Sequence, residues 1–223
     1  MGKSLALVST IRMGSTRLPE KMAMEFCDGS TLSSRLAQRM ADARNRFEFS
    51  NVGIAVHPGE IELVNIVLGS SIPSILRSDK SASSDKLSDI FDFIKAIDAS
   101  HIMWVNGGNV FLDGKTIAEA AETFMAEDWD SMTAVRKRRN WFWNMYQYPL
   151  DYPSSGKTQD AALTYEATHS FHIFSKDYML NEGKYWSGER FDPAIFMIPG
   201  NEWVDVDTKE DFDYADYLIG AKL

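Results

Sequence analysis

Arg12, Arg17 and Lys21 accompany Gly14 and the hydroxyls of Ser15 and Thr16 in the segment Thr10-Ile11-Arg12-Met13-Gly14-Ser15-Thr16-Arg17-Leu18-Pro19-Glu20-Lys21. A line of phosphate oxygens is held by charge-assisted donors grouped around a glycine that lets backbone N–H groups approach. The segment has the residue types for that task. A solvated basic loop has the same composition, and composition alone leaves both readings open.

A second constellation lies near the C-terminus, in Trp203-Val204-Asp205-Val206-Asp207-Thr208-Lys209-Glu210-Asp211-Phe212. Alternation predicts a strand over 202–206, which puts Asp205 and Asp207 on one face. Two adjacent carboxylates suit Mg²⁺, a hard cation that accepts one or two protein oxygens when phosphates complete its shell. Thr208 and Asp211 have capping-box spacing, so one acid as a helix cap and the other in solvent is the alternative. Between these segments, Asn106-Gly107-Gly108-Asn109 reads either as an asparagine-stabilised turn or as a loop whose amides meet a ligand. Arg136-Lys137-Arg138-Arg139 is the densest positive run; it is read mainly as a solvated face, with a carboxylate-binding role for part of it as the alternative. His57, His101, His169 and His172 have no zinc or dyad spacing and read as structural. Neither a Gly-x-Ser-x-Gly elbow nor a Walker-type phosphate loop is present.

The elements that must position these residues alternate. Leu5–Val8, 51–56, 74–76, 101–105 and 130–135 read as strands. Helical spacing runs over 31–44, through Ile61, Val64 and Leu68, over 84–97 and 116–126, and from Lys209 to about Ile219. Repeated β-then-α units specify an α/β fold with a mostly parallel, Rossmann-like sheet, and ligands of such sheets bind beyond the strands' carboxyl ends, where the basic loop falls. One domain over 1–223 is expected. The segment 136–188, with Trp141, Trp143, Tyr146, Tyr148 and Tyr152 punctuated by Pro149, Pro153 and Gly156, reads as an irregular subdomain.

A chain of 223 residues that is 44% hydrophobic can bury a sizeable core. Its net charge of -9 argues against a nucleic-acid partner. No apolar run is long enough to span a bilayer and the N-terminus lacks a signal-peptide pattern, which predicts no membrane partner and a cytoplasmic location. Cys27 is the single cysteine, so no intrachain disulfide is expected.

Arg12-Met13-Gly14-Ser15-Thr16-Arg17-Leu18-Pro19-Glu20-Lys21 resembles the signature of the CMP-acylneuraminate and CMP-KDO synthetases and of the spore-coat polysaccharide protein F group. The acidic turn resembles that family's Asp-Ile-Asp-Thr-x-x-Asp-Phe. The resemblance implies a nucleotide-diphospho-sugar transferase (GT-A-like) sheet and a cytidylyltransferase that joins CTP to an acidic sugar, sialic acid-like or KDO-like, with Mg²⁺. It implies triphosphate contacts from Arg12, Arg17 and Lys21 with Gly14 and Ser15, and catalytic roles for Arg12, Lys21 and Asp207. Asp207 and Asp205 would hold the metal, Arg77 and Asp85 would lie over the base, and Asn106 and Asn109 would border the sugar. The segment 136–188 would form a homodimer interface.

Several positions depart from the pattern. Gly108 stands where the KDO and spore-coat relatives place a metal-binding aspartate, Thr16 where a lysine is common in the sialate branch, Met22 where an asparagine there helps read the base, and Thr168-His169 where Asn-Gly is usual. These departures leave two alternatives: a nucleotide-binding homologue with impaired catalysis, or a GT-A-type glycosyltransferase.

Overall fold

The computed structural model describes residues 2–60, 63, 65, 69, 72–150 and 156–222. Its seven-stranded sheet has the order β3-β2-β1-β4-β6-β5-β7. The strands are β1 (Leu5–Thr10), β2 (Asn51–Val56), β3 (Ser74–Leu76), β4 (His101–Asn106), β5 (Met132–Arg139), β6 (Leu163–Ser175) and β7 (Ala194–Met197). The helices are α1 (Leu32–Arg46), α2 (Asp79–Ser83), α3 (Leu87–Ile90), α4 (Gly114–Ala126), α5 (Lys176–Glu182) and α6 (Lys209–Gly220). β1 pairs in parallel with β2 and β4, and β2 with β3. β6 runs antiparallel between β4 and β5, and β7 is parallel to β5.

Alternation along β1 explains how both faces of the sheet are covered. Leu5 and Leu7 enter the larger core, with Leu36, Met40, Ile117, Phe124 and Phe212 from α1, α4 and α6. Ala6 and Val8 enter the second, with Phe91, Ile94, Phe174 and Met179. A strand buried on both faces reads as a continuous apolar run, as Leu5–Val8 does.

Several expectations change. β5 begins at Met132 and runs on to Arg139, so the basic run is a strand end. The stretch expected to be irregular supplies β6, an interior strand thirteen residues long. The expected strand over 202–206 is a turn joined by one isolated Asn109–Asp205 bridge to the loop that follows β4. The helix expected over 84–97 is the short α3 followed by a 3₁₀ turn at Asp92–Ala96. The Ile61, Val64 and Leu68 positions fall outside the described residues. No described helix is long and apolar enough to cross a membrane.

Candidate nucleotide and metal site

The basic loop leaves β1 at its carboxyl end and is pinned by apolar anchors, with Ile11, Leu18 and Met22 all buried. Backbone bonds from Ser15 and Glu20 to the Met13 carbonyl fold it back on itself, and Glu20 takes a positive φ of 58° in that turn. Ser33 of α1 donates from backbone and hydroxyl to the Met22 carbonyl, tying the loop's exit to the helix. The Glu60 carboxylate accepts from Met13 N–H at 2.7 Å.

This geometry forms a cavity of about 260 Å³ lined by Arg12, Ser15, Arg17, Lys21, Trp104 and Asn106, among others. Lys21 Nζ lies 2.6 Å from the Val206 carbonyl and 3.1 Å from Asp207 Oδ1. Arg17 reaches the same carboxylate oxygen at 2.8 Å. Thus the two segments singled out in the sequence, far apart in the chain, meet where Lys21 and Arg17 contact Asp207.

The acidic turn is positioned by pairing with the Gly-Gly loop. Val206 N–H donates to Gly108 O and Val110 N–H to Val204 O. Asn106 Nδ2 donates to Asp205 Oδ2 at 3.0 Å, while Asn106 Oδ1 accepts from Gly108 N–H at 2.9 Å. Asp205 Oδ1 is buried without a hydrogen-bond partner and lies 2.4 Å from where a Cβ on residue 108 would stand. Gly108 is therefore a space that the Asp205 carboxylate fills. Burial first, then the neighbouring Asp207, raises the Asp205 pKa; Lys21 and Asn106 oppose the rise. Gly107 is less tightly confined, since a Cβ there would stand 3.1 Å from Ile11 and 3.2 Å from Met22. At α6, Thr208 and Asp211 form a reciprocal capping box, and N–H bonds from Thr208 and Asp207 hold the Asp211 pKa down against the effect of burial.

An orphaned buried carboxylate oxygen beside Asp207 is a donor set that fits Mg²⁺. Among the described residues no three His, Cys, Asp or Glu side chains converge, so such a cation would draw its remaining ligands from phosphate and water.

Other expected residues separate. Arg12 borders this cavity and a neighbouring one of about 280 Å³ that also holds Arg77, Ser84, Asp85, Phe91, Trp104 and Tyr185. Arg77 is buried, bonded to Ser81 and directed at the Ile11 carbonyl, and burial and then Arg12 lower its pKa to about 10. Gly14 has open space on its Cβ side, so packing within the chain does not demand glycine there. Asn109 does not border the cavity. It is fully buried and its amide is spent on Ser170 Oγ, the Glu202 carbonyl and Leu112 N–H. Met22 lines the cavity but is only 3% exposed and has no polar group with which to read a base.

In the basic run, Arg136 makes a bidentate pair with Glu166 and stacks on Trp203. Arg138 also reaches Glu166, and Arg139 donates to the Gln159 and Ala161 carbonyls. These guanidinium groups are committed to the chain itself. The sequence reading missed three features. Trp104 spans both cavities, its indole N–H fixed on Thr10 Oγ1 at 3.1 Å. His169, at a positive φ of 54°, contacts the buried His172, whose pKa burial lowers to about 3. Arg39 lies buried under the Gly-Gly loop, donating to the Asn109 carbonyl. Of these, only the Thr168-His169 departure left a trace in the motif.

The fold is similar to that of several solved structures, among them two synthetases named for cytidine nucleotides. One similar solved structure is a CMP-2-keto-3-deoxy-manno-octonic acid synthetase complexed with CTP, 12% identical, covering 99% of this chain and 100% of that one, with a TM-score of 0.72. Another is a 4-diphosphocytidyl-2C-methyl-D-erythritol synthase from Anaerococcus prevotii, 11% identical, with 99% and 100% coverage and a TM-score of 0.67. A third, HddC from Yersinia pseudotuberculosis complexed with GMP-PN, is 14% identical, with 97% and 99% coverage and a TM-score of 0.58. No family model and no curated protein matches the chain.

Proposed function

We propose that this chain is a nucleotidyltransferase that activates an acidic sugar with CTP, forming a CMP-sugar and releasing pyrophosphate. The observation that carries the reading is the convergence of Lys21 and Arg17 on Asp207, beside the unpartnered Asp205 oxygen, at the carboxyl end of the sheet. Arg12, Arg17 and Lys21 hold the triphosphate, with Gly14 and Ser15 shaping its approach. Asp207 and Asp205 hold Mg²⁺, which when bound offsets the charge that develops on the phosphates. Asn106 fixes the Asp205 carboxylate, and Arg77 braces the floor on the side assigned to the base.

In the reaction a sugar hydroxyl attacks the α-phosphorus in line, a P–O bond forms as the bond to pyrophosphate breaks, and the hydroxyl proton leaves to solvent. The chain's contribution is positioning and charge stabilisation. The names of the CTP-complexed and erythritol synthase neighbours support cytosine, whereas the guanine nucleotide analogue bound to the Yersinia protein makes the base the point to test. The hairpin around the Trp143–Pro149 bridge exposes Trp143, Met145, Tyr146, Tyr148 and Leu150, and we assign it to a homodimer interface.

The test is product analysis with Mg²⁺, each nucleoside triphosphate and a set of 2-keto sugar acids. Pyrophosphate release that depends on CTP and falls at least about 100-fold in Lys21→Ala supports the reading. Release of a nucleoside diphosphate from a preformed nucleotide sugar replaces it with a glycosyltransferase.

A further inference from the structure

The same carboxylate oxygen serves two cations. Arg17 stands 2.8 Å and Lys21 3.1 Å from Asp207 Oδ1, and the Lys21 side chain is only 16% exposed. These are two of the three cations assigned to the triphosphate, so without nucleotide they are neutralised by an acid assigned to the metal. Asp205, two residues away, bonds no cation among the described residues; its hydrogen bond comes from Asn106. Resting on the nucleotidyltransferase reading, we propose that Asp207 is an exchangeable counter-ion that makes nucleotide and divalent cation bind as a mutually dependent pair.

A triphosphate arriving alone must pull Lys21 and Arg17 from Asp207 and leave that carboxylate facing its own negative charge. A divalent cation arriving alone must displace an ammonium and a guanidinium from the oxygen it seeks, leaving two cations beside it. An ionised group stranded without its partner is costly where solvent is restricted, as it is around Lys21. When both ligands arrive, partners are exchanged: Lys21 and Arg17 turn to phosphate oxygens and Asp207 turns to the cation. No charge is orphaned at the end. Reciprocity then requires each ligand to strengthen the other by the same factor. Lys21 carries more of this coupling than Arg17, whose 63% exposure leaves its pair screened by water.

The experiment is calorimetric titration of CTP, or whichever of the four triphosphates most raises the melting temperature, in EDTA and in Mg²⁺. It uses wild type, Asp207→Asn and Asp205→Asn, each first shown to melt cooperatively. In wild type, Mg²⁺ tightens binding about tenfold or more, within the usual range of coupling between sites. In Asp207→Asn, metal-free binding tightens about tenfold over metal-free wild type, and the effect of Mg²⁺ largely disappears. Asp205→Asn shows no metal-free gain. A metal-free affinity of Asp207→Asn equal to wild type overturns the proposal and leaves Asp207 a metal ligand only. An equal gain in Asp205→Asn also overturns it, because removal of any nearby negative charge then suffices. Failure of wild type to bind any triphosphate in Mg²⁺ instead refutes the nucleotidyltransferase reading and the inference with it.

Discussion

Asp205 and Gly108 behave as one unit, because the carboxylate occupies the volume a side chain at 108 would need. Gly108→Ala places a methyl group 2.4 Å from Asp205 Oδ1 and must expel it. The expected outcome is a loss of about 1–3 kcal/mol in denaturant unfolding, as for overpacked sites, together with loss of the Mg²⁺-enhanced nucleotide shift. Asp205→Asn should do the opposite to stability. The raised folded-state pKa means the ionised form is penalised by folding, so an uncharged isostere is stabilising at pH 7. As the pH falls below the ordinary value of 3.8 the carboxyl is protonated in both states, and the advantage vanishes. Melting curves of both proteins at pH 7 and pH 3 check this; a less stable variant at pH 7 contradicts it. The motif residues Arg12, Arg17, Lys21, Asn106, Asp205 and Asp207 were legible as chemistry, because charge and spacing are sequence properties. Their environments were not legible. Asn106 and Asn109 flank the same two glycines, yet one amide faces the acid and the other is consumed in the core. That difference is set by the Glu202 turn, 93 residues from Asn109.

The acidic turn and α6 show how an element delivers its residues. Alternation over 202–206 imitated a strand, but only Asp205 forms a bridge, to Asn109 in the loop after β4, and the chain then enters α6 through the Thr208–Asp211 box. Thr208→Ala removes a bond to Asp211 N–H and is expected to cost about 1 kcal/mol, lowering the melting temperature by roughly 2–4 °C. An unchanged melting temperature excludes the cap as the device that holds the turn. β6 was missed for a physical reason. Thr164, Glu166, Thr168, Ser170 and His172 alternate with Leu163, Tyr165, Ala167, Phe171 and Ile173. Yet past the register shift opposite Thr133 and Val135 the polar Thr168, Ser170 and His172 are buried along with Phe171, Ile173 and Phe174, so burial does not follow the alternation. The polar members are satisfied by contacts invisible in a linear reading, such as Thr133 Oγ1 with His172 Nδ1 at 2.8 Å and Ser170 Oγ with the Glu202 carbonyl at 3.1 Å.

At the scale of the molecule, the alternation of buried strands and amphipathic helices specified the parallel half of the sheet, because strands buried on both faces leave a strong apolar signal. The second half, where β6 reverses and β7 closes the edge, left a weak one. The net charge of -9 is compatible with an anionic ligand only because Arg12, Arg17 and Lys21 are gathered on one loop at one end of that sheet. Exposure of 85% at Met145 and 72% at Tyr146 places an apolar surface on the hairpin, away from the core. Replacing Met145 and Tyr146 together by Ser is expected to turn a dimer into a monomer in sedimentation with little change in the fold; a wild-type monomer at working concentration contradicts the assigned interface.

Whether the loop and the acidic turn form one nucleotide–metal site is decided by thermal melting with each of the four nucleoside triphosphates, with and without Mg²⁺. At about 100 times the dissociation constant a site of this kind contributes about 2.7 kcal/mol, or roughly 5–10 °C for a chain of this size. Such a shift is expected with CTP, larger with Mg²⁺ and absent in Lys21→Ala. No shift with any triphosphate, or a full shift in Lys21→Ala, contradicts it.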